Sequence, residues 1–596
     1  MNAENLEKSK EIEELIAQQT IELRKWGLKF PKDYSIVNIN SENLYKPIDL
    51  RLIKKVTVIK EKLPVEENIE ICKTPLILSA KTPIQADGSR YYIIRYEIEG
   101  RQYDFPIKQL DMQIKKNLAI ALGSHCIVAT EEKLTKTMEY LAECIKQYGK
   151  DLKFVEVFEQ NGWNADKNIF VIGKQGIKKD SIIPVHTTVT NPKHVNVFEP
   201  HGTEEGWVKD ITPIFEYDLT RFMFYDSMTC PLLNLLNLES HSFEHYGRTS
   251  SGKTTIQMVT ASAIGNVKEQ MITPGNTAIG ILAHVVAMSD IPTFIDEVTT
   301  TKKKEVVRGA IYEISNEIER SRGERDGKMR SDIKSFKAVT HISCESTLKE
   351  QMDHAGEMFR LNSMTDLLPS GIALVEKVKQ DVQENYGWFF PKYIQKILNH
   401  KDELKNLLAG CKINVDTTDI PKEVIDIANR SKSIFEGIIL AGILCEEVFK
   451  EMGIPARSPE EVTLIVNRYY KECILDIHVE LDYTRALQRT FDWSVENLRN
   501  FNTESNNITS AVSCYGKMDD KYLYIIGTKF NSIMTDWGFS GDIVRTSLKK
   551  EGIVEGTDKG YSSVRVNGIV SNVVKINRIK MNEKLMILEE IDIKNL

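Results

Sequence analysis

The sequence predicts a multidomain α/β protein, and the order of its hydrophobic patterns is the basis for this prediction. From about residue 50 to 200, short apolar runs of period two with one or two helices favour an α+β domain. From about 215 to 370, strands and helices alternate, as in a parallel sheet covered by helices. From about 375 to 500 the chain is mostly helical, and two helices and a hairpin are predicted after about 520.

Length and composition are those of a large globular protein. The chain has 596 residues, 41% of them hydrophobic and 27% charged, and this length suggests about three to five domains. Nine cysteines without a C-x-x-C pair indicate neither a disulfide framework nor a zinc site. The first residues lack an apolar signal core, and the longest apolar stretch is broken by polar residues. We expect a soluble, cytoplasmic protein that does not associate with a membrane.

The net charge of −7 argues against a protein that coats nucleic acid along its whole surface. It does not argue against a ring or clamp, in which only a local basic surface meets the phosphates. The distribution of charge therefore matters more than the sum.

Two regions precede the α/β core. Residues 1–48 carry apolar residues at roughly helical spacing and are predicted to form a helical N-terminal arm. Residues 49–205 are predicted to form the α+β N-terminal domain, with strands such as Tyr91–Ile98 and a hairpin turn at Asp87–Gly88. No catalytic constellation is recognisable in this domain.

The most informative motif is Gly-Arg-Thr-Ser-Ser-Gly-Lys-Thr at residues 247–254, which fits the G-x-x-x-x-G-K-[ST] phosphate-binding loop. A strand is predicted before it and a helix after it, so the helix N-terminus would face the phosphates. Glycines allow backbone N–H groups to approach a β-phosphate, Lys253 would bridge the β- and γ-phosphates, and Thr254 would hold Mg²⁺. The residues expected to bind a nucleoside triphosphate are Gly247, Arg248, Thr249, Ser250, Ser251, Gly252, Lys253, Thr254 and Thr255.

An apolar run downstream ends in two carboxylates, Asp296 and Glu297. In proteins with a phosphate-binding loop, an Asp at this place holds the Mg²⁺ shell, and a following Glu can polarise an attacking water. The alternative is that the pair caps the next helix. Because the phosphate-binding loop lies upstream, we favour a site that hydrolyses ATP over one that transfers phosphate to a small molecule.

A polar residue at the end of the next predicted strand, 338–343, can orient the attacking water. We nominate Ser343, while its neighbours Cys344 and Glu345 could take the role instead. Arg360 and Arg430 are candidates for phosphate contacts, the first as a catalytic arginine and the second as a nucleotide sensor at the start of a helix. A surface salt bridge remains the alternative for either arginine.

A basic segment precedes that strand. Asp326–Gly327 is a strong hairpin signal, and it would place Lys328 near the tip with Arg322, Arg325 and Arg330 nearby. A solvated charged loop is the common interpretation of such a run. Its position, however, is where some ring helicases carry a hairpin that grips DNA, so Arg325, Lys328 and Arg330 are candidate DNA contacts.

The C-terminal module, residues 506–596, resembles a winged helix. A helix near 523–535, a second helix at 540–550 and a β-hairpin around residues 558–560 are predicted. The second helix can enter a major groove while the wing touches the backbone. The candidate DNA contacts are Arg545, Lys549, Lys550 and Lys559. Winged helices also bind proteins, and that alternative stays open.

Together these motifs resemble the MCM-like AAA+ replication initiator helicases of staphylococcal cassette chromosomes, the Cch type, and related pathogenicity-island Rep proteins. In chain order, the resemblance rests on Gly162–Trp163, the Gly-Arg-Thr-Ser-Ser-Gly-Lys-Thr-Thr loop, Phe-Ile-Asp-Glu, Arg-Asp-Gly-Lys and Phe-Arg-Leu. It extends over about residues 50–580. It implies an AAA+ P-loop ATPase core at 206–372, a helical lid and linker at 373–505, and the winged helix.

The resemblance implies a homohexameric ring with ATP held between subunits and DNA threaded through its centre. Lys253, Thr254, Asp296 and Glu297 would bind and hydrolyse ATP with Mg²⁺. Arg360 would act on the neighbouring subunit's ATP, and Lys328 would grip a single strand in the channel. One departure is that the strand ends Ser-Cys-Glu, where MCM proteins have an Asn.

We therefore predict an ATP-driven DNA helicase that initiates replication of a mobile genetic element, with duplex DNA at the origin as a further partner. An element-encoded primase/polymerase or single-strand-binding protein is an additional candidate partner. Two alternatives stay open. One is an ATP-switched origin or transcription regulator that does not unwind DNA, and the other is an ATPase that acts on proteins.

Overall fold

The computed structural model describes residues 30–40, 49–60, 62–85, 88–189, 191–247, 252–273, 277–318, 334–348, 361–364, 368, 372–416, 418, 422–479, 482–503, 514–537 and 539–585. The described residues up to Asn196 form one compact unit, and those from Val197 onward form a second. Both contain helices and strands, so the predicted mixed α/β, multidomain character is confirmed.

The N-terminal unit consists mainly of short strands. These are β1 (Tyr34–Asn38), β2 (Leu50–Lys60), β3 (Leu63–Cys72), β4 (Leu76–Lys81), β5 (Tyr91–Ile98), β6 (Arg101–Lys108), β7 (Lys153–Phe154), β8 (Val157–Phe158), β9 (Gly162–Trp163), β10 (Phe170–Ile172), β11 (Gln175–Ile177), β12 (Ile182–Pro184) and β13 (His186–Thr187). Its helices are α1 (Gln109–Gln113), α2 (Lys115–Ser124), α3 (Glu131–Tyr148) and α4 (Pro192–Val195). The strand orders are β1-β2-β3, β6-β5-β4-β7, β12-β11-β10-β9 and β13-β8.

Helix α3 anchors the core of the N-terminal unit. It presents one apolar face to the strands, and the hydroxyl of its fully buried Tyr140 donates a 3.0 Å hydrogen bond to the Leu76 carbonyl. The buried phenol therefore has a partner, as burial of a polar group requires.

Strand β1 corrects the expectation of a helical arm over residues 1–48. Tyr34, Ile36 and Asn38 are buried alternately with half-buried neighbours, and β1 pairs antiparallel with β2. The pattern of period two therefore overrides helical spacing in this stretch. Residues 1–29 and 41–48 of the predicted arm lie outside the described residues.

The second unit begins with a parallel sheet. Its strands are β14 (His241–Tyr246), β15 (Met271–Ile272), β16 (Thr293–Val298), β17 (Val339–Cys344) and β18 (Leu361–Met364), in the order β15-β16-β17-β14-β18. The helices in this part are α5 (Glu204–Ile211), α6 (Asp218–Leu236), α7 (Lys253–Ile264), α8 (Val267–Gln270), α9 (Ala278–Ala287) and α10 (Thr301–Ile314), with a 3₁₀ turn at Ile214–Glu216. Strands β14, β17 and β18 are almost wholly buried, as expected of a parallel sheet. Their carboxyl ends share one edge, which positions the site described below.

A run of helices follows. These are α11 (Ile372–Asp381), α12 (Phe389–Asn399), α13 (Leu404–Gly410), α14 (Lys422–Met452), α15 (Pro459–Val479) and α16 (Asp482–Glu496). Helix α14 packs closely against α6, because a Cβ added at Gly442 would lie 2.9 Å from the Tyr225 ring. Buried Glu446 on α14 accepts hydrogen bonds from Arg221 and Tyr225 on α6, which fixes the register of the two helices.

The C-terminal module closes the chain. A 3₁₀ turn at Leu498–Asn500 precedes it, and its elements are β19 (Phe501–Asn502), β20 (Gly516–Met518), β21 (Tyr522–Ile526), α17 (Gly527–Asp536), α18 (Gly541–Lys550), β22 (Val554–Glu555), β23 (Ser562–Val566), β24 (Ile569–Asn577) and α19 (Arg578–Lys584). Ser540 caps α18 by accepting a hydrogen bond from the Ile543 N–H. The sequence predicts α17 to begin near 523, but residues 522–526 form a strand because β21 pairs with β24.

The predicted hairpin around residues 558–560 is also corrected. Strand β22 pairs with β24, and the hairpin is formed by β23 and β24, with Val566 opposite Ile569. Its turn is Asn567–Gly568, and both residues have positive φ angles, 50° and 77°. Such a turn matches the twist of a hairpin, and Asn-Gly is its strongest sequence signal.

Candidate nucleotide-binding site

Two glycines bracket the phosphate-binding loop. Gly247 follows β14 and Gly252 caps α7, with φ angles of 144° and 87°. The backbone conformation therefore favours glycine there, and a Cβ added at Gly252 would also lie 2.7 Å from Leu368 Cδ1 and displace that side chain. Between them, Arg248, Thr249, Ser250 and Ser251 lie outside the described residues.

Lys253 is the first residue of α7, and its ammonium is held at the loop. Its Nζ donates a 2.9 Å hydrogen bond to the Gly247 carbonyl, and the residue is only 8% exposed. Burial lowers the pKa of Lys253, while the nearby Cys344, Glu345 and Asp296 side chains oppose that shift. The cation therefore sits in a partly desolvated place where a negative group would be strongly attracted.

Thr254, Asp296 and Ser343 meet at the shared edge of the sheet. The Thr254 hydroxyl donates a 3.0 Å hydrogen bond to Asp296 Oδ1, and the Ser343 hydroxyl donates to the same oxygen. These residues come from α7, β16 and β17, which are separate in sequence. Asp296 is half-buried and Ser343 is buried. Thr255, the next residue of α7, is buried as well.

Glu297 adopts an unusual backbone conformation. Its φ is 59°, and the pairing of β16 with β17 shifts register between Ile295 and Val298. Bulges and left-handed non-glycine residues occur often beside functional sites, where they redirect a side chain. Here the carboxylate is exposed, and the Glu297 carbonyl accepts a 2.9 Å hydrogen bond from Lys303 Nζ.

The two residues after Ser343 differ in character. Cys344 is buried, its Sγ lies 3.6 Å from Glu244 Oε2, and burial together with that carboxylate raises the pKa of its thiol far above the usual range. An un-ionised, buried thiol is a poor candidate for contact with water. Glu345 is exposed and close enough to affect the charge of Lys253.

The sequence did not lead us to a buried carboxylate on β14, the strand that precedes the phosphate-binding loop. Glu244 is fully buried on β14 and accepts hydrogen bonds from the Leu348 N–H at 2.7 Å and from the Thr347 and Ser363 hydroxyls. It therefore ties β14 to β18 and to the segment after β17. The signal available was a glutamate in the middle of the strand predicted before the loop.

A second buried cluster lies beneath the same strands. Asp226 on α6 accepts from His241 Nε2 at 2.7 Å and lies 2.9 Å from His341 Nε2, and all three residues are buried. Burial alone would raise the pKa of Asp226, but the two histidines outweigh it and hold the pKa below its ordinary value. The cluster joins α6 to β14 and β17.

Several predicted site residues are not part of this arrangement. Arg322, Arg325, Lys328, Arg330 and Arg360 lie outside the described residues. Arg430 is exposed and lies within α14, which begins at Lys422, so it does not open a helix as expected. Among the described residues, no group of three or more His, Cys, Asp or Glu side chains is arranged to hold a metal ion.

Arg545 is not available as a DNA contact in the C-terminal module. It is 3% exposed, its Nε donates to the Lys559 carbonyl, and its guanidinium lies 3.9 Å from the centre of the Tyr561 ring. A Cβ added at Gly560 would lie 2.5 Å from Arg545 Cγ, so the backbone at Gly560 packs directly on the Arg545 side chain. Arg545 therefore supports the segment between β22 and β23.

The three lysines of the module differ in exposure. Lys550 and Lys559 are exposed. Lys549 is half-buried and donates a 2.6 Å hydrogen bond to the Thr557 carbonyl. Arg565 on β23 is exposed near the hairpin turn and was not among the predicted contacts.

Comparisons with known proteins agree with this architecture. Residues 52–334 match a family described as "Domain of unknown function (DUF927)", and residues 482–583 match one described as "Cch helix turn helix domain". Comparison with curated protein sequences finds no match.

In the part of the chain the structure describes, no helix is long and apolar enough to cross a membrane.

Two solved structures complete the comparison. One described as "SCCmec type IV Cch - active helicase" has a TM-score of 0.64 at 13% identity, covering 94% of this chain and 100% of that chain. The apo C-terminal region of NrS-1 gives a TM-score of 0.26 at 12% identity, covering 82% of this chain and 95% of that chain. The chain thus shares the fold of the Cch protein and carries a Cch-type helix-turn-helix domain, and the predicted resemblance to the Cch type is confirmed.

Proposed function

We propose that this Cch-type chain is an ATP-dependent DNA helicase that initiates replication of a mobile genetic element. The observation that carries the proposal is the convergence of Thr254, Asp296 and Ser343 at the carboxyl edge of a parallel sheet, beside Lys253. The Cch-type helix-turn-helix domain at residues 482–583 supports DNA as the partner. We assign residues 206–372 to an AAA+ core and 373–505 to its helical lid.

The residues at the loop fit ATP and Mg²⁺. Lys253 is a nearly buried cation within reach of the loop, and it would exchange its bond to the Gly247 carbonyl for phosphate oxygens. Thr254 and Asp296 present a hydroxyl and a carboxylate oxygen 3.0 Å apart, which is the hard oxygen donor set that Mg²⁺ prefers. When bound, Mg²⁺ would neutralise the charge that develops on the phosphates.

Hydrolysis needs a group that activates water. We assign this role to Glu297, whose exposed carboxylate follows the metal-binding Asp296 directly. The left-handed backbone at Glu297 turns its side chain to a different direction from that of a regular strand residue. Ser343 remains our candidate for orienting that water. Its proton is donated to Asp296, so its lone pairs would serve that role.

Assembly and translocation rest on the resemblance to the Cch type. We propose a homohexamer in which Arg360 reaches the ATP of the neighbouring subunit and Arg430 senses nucleotide. Arg325, Lys328 and Arg330 would grip one DNA strand in the channel. An arginine that stabilises developing phosphate charge across an interface makes hydrolysis depend on assembly.

The C-terminal module would contact duplex DNA through exposed cations. Lys550 lies at the end of α18 and Lys559 in the segment after β22, and both are exposed. Phosphate contacts of this kind position a protein on DNA without reading its sequence. We expect this module to help load the ring at the origin.

The same module favours one competing function. A helix-turn-helix domain joined to an ATP site also suits a regulator that binds origin or promoter DNA in one nucleotide state and unwinds nothing. Strand displacement separates the two, because only the helicase converts a fork to single strands.

The first test is ATP hydrolysis with and without forked DNA. The native chain should hydrolyse ATP, and forked DNA should stimulate it. Lys253→Ala should abolish hydrolysis, whereas Lys268→Ala, an exposed lysine on α8, should leave it unchanged. Hydrolysis that persists in Lys253→Ala would remove the basis of the proposal.

A further inference from the structure

A separate pocket lies within the N-terminal unit. It has a volume of about 420 Å³ and is formed between β6, the end of α2 and the segment around β13. This volume is in the range of pockets that hold small molecules or parts of larger ligands. We call it the aromatic pocket, and the residues that define it are Tyr96, Tyr103, Phe105, His125, Lys174 and His186.

Flat rings form much of its wall. The Phe105 and His125 rings stack with centroids 4.0 Å apart and planes at 18°, and Tyr96 stacks on Tyr103 at 5.5 Å. Phe105 is buried, but Tyr103 is 43% exposed. An aromatic side chain that is nearly half exposed at a pocket does not serve the core, and its face is available to a flat ligand.

The charges in the pocket leave one net cation. Arg95 binds Asp104 through two hydrogen bonds of 2.9 and 3.0 Å, which neutralises the only carboxylate among the lining residues. Lys174 is exposed and forms no ion pair with any described residue. A single ammonium beside aromatic rings suits a ligand that combines a flat ring with one negative charge.

The two histidines of the pocket are neutral near physiological pH. Burial lowers the pKa of His125, and Lys174 lowers it further. Burial also lowers the pKa of His186, with Lys153 and Arg95 adding to the effect and Asp104 opposing it. Neutral imidazoles both donate and accept hydrogen bonds, as the edges of a base require.

We propose that the aromatic pocket holds one unstacked base of a single DNA strand, with the base against Tyr103 and the adjoining phosphate on Lys174. This inference rests on the proposed function in taking a DNA strand as the ligand. It assigns the N-terminal unit a strand contact in addition to the one proposed for Arg325, Lys328 and Arg330. Stacking on an aromatic face tolerates any base, so the pocket would hold the strand without selecting a sequence.

The test uses the full chain and a fluorescein-labelled oligothymidylate followed by anisotropy. Tyr103→Ala should raise the Kd roughly 5- to 150-fold, the range for loss of one base stack. Tyr103→Phe keeps the ring and should stay within about twofold. Lys174→Glu should weaken binding and reduce the slope of log Kd against log salt by about 0.7, whereas Lys179→Glu, an exposed lysine outside the pocket, should not.

Two further measurements determine whether the base lies in the aromatic pocket and whether it belongs to a DNA strand or to a free nucleotide. An oligonucleotide carrying 5-iododeoxyuridine should crosslink on irradiation to the peptide that contains Tyr103 or to the one that contains His125. Thymidine monophosphate is the probe for a free nucleotide. If it binds saturably, loses binding in Tyr103→Ala, and the oligonucleotide affinity stays unchanged, the pocket takes a free nucleotide and the assignment to a strand is overturned.

ATP hydrolysis and strand displacement measured on the same preparations separate this inference from the proposed function. A native chain that unwinds forks, with Tyr103→Ala and Lys174→Glu binding oligothymidylate as tightly as the native chain, overturns the inference alone. A native chain that unwinds nothing, but whose strand binding is lost in Tyr103→Ala, overturns the proposed function and supports the pocket. DNA-independent ATP hydrolysis should be unchanged in both variants, which verifies that they are folded.

Discussion

The hydroxyl of Thr254 donates a 3.0 Å hydrogen bond to Asp296 Oδ1, although 42 residues separate the two in the chain. Thr254 is the second residue of α7, the helix after the phosphate-binding loop. Asp296 lies near the end of β16, which is two strands away from β14 in the sheet. Their contact places a hydroxyl and a carboxylate where a divalent cation would need both.

The first prediction concerns Thr254. Thr254→Val removes the hydroxyl at nearly constant volume, and we expect ATP hydrolysis to fall at least about tenfold and to need more Mg²⁺. Thr254→Ser keeps the hydroxyl and should retain most of the activity. The measurement is a Mg²⁺ titration of ATP hydrolysis at saturating ATP. If the Mg²⁺ concentration at half-maximal hydrolysis is the same for the native chain, Thr254→Val and Thr254→Ser, Thr254 does not bind the metal ion.

The second prediction separates two roles of Ser343. Because its hydroxyl donates to Asp296, Ser343→Ala should loosen that carboxylate and raise the Mg²⁺ concentration at half-maximal hydrolysis roughly 10- to 100-fold. If Ser343 orients only the attacking water, kcat should instead fall while the Mg²⁺ dependence stays unchanged. Ser346→Ala, a half-buried serine after the same strand, is the control.

The third prediction distinguishes a structural role of Arg545 in the C-terminal module from a role in binding DNA. Arg545→Ala should destabilise the module by about 2 to 3 kcal/mol, because the buried guanidinium holds the Lys559 carbonyl and packs on Tyr561. Hydrogen exchange should therefore accelerate in peptides covering residues 557–561. Lys550→Ala should leave exchange unchanged and weaken duplex DNA binding instead. The reverse pattern would make Arg545 a DNA contact after all.

The fourth prediction is a pH dependence at Asp226. Its pKa in the folded chain lies below the ordinary value of about 3.9, so the contacts of the ionised carboxylate with His241 and His341 add stability above about pH 4 that is lost as the pH falls through the folded pKa. Asp226→Asn should therefore be less stable at about pH 6, and the difference should shrink at about pH 3.

Urea unfolding, followed by hydrogen exchange of peptides from β14 and β17, measures this difference. Asp180→Asn, at an exposed carboxylate, should follow the native chain at every pH. A difference between Asp226→Asn and the native chain that stays constant down to about pH 3 would contradict the assignment of the buried charge.

Much of the candidate site could be predicted from the sequence, because the phosphate-binding loop specifies its own local conformation. Gly252 needs a positive φ, and Lys253 and Thr254 follow it into the helix. Once the sheet is taken as parallel, Asp296 and Ser343 must come to the same edge, since the carboxyl ends of parallel strands lie together. The roles of these residues remain predictions.

Other features depend on tertiary contacts that a linear pattern does not show. The position of Arg545 on α18 indicated nothing about which face of the helix would be buried by the segment after β22. The wrong position predicted for the hairpin turn has a different cause. Asn567–Gly568 is a strong turn signal in the sequence, but the turn was assigned to the Asp-Lys-Gly sequence at 558–560 instead. Glu244 required knowledge of the segments at residues 347–348 and 363 that supply its donors.

The most direct test of the central claim is strand displacement on a forked duplex with ATP. The native chain should release the displaced strand, Lys253→Ala should release none, and Lys268→Ala should match the native chain. Forks with either polarity of single-stranded tail should be used. ATP hydrolysis by the native chain without release of a strand from any fork would contradict the helicase and leave the ATP-switched regulator as the better account.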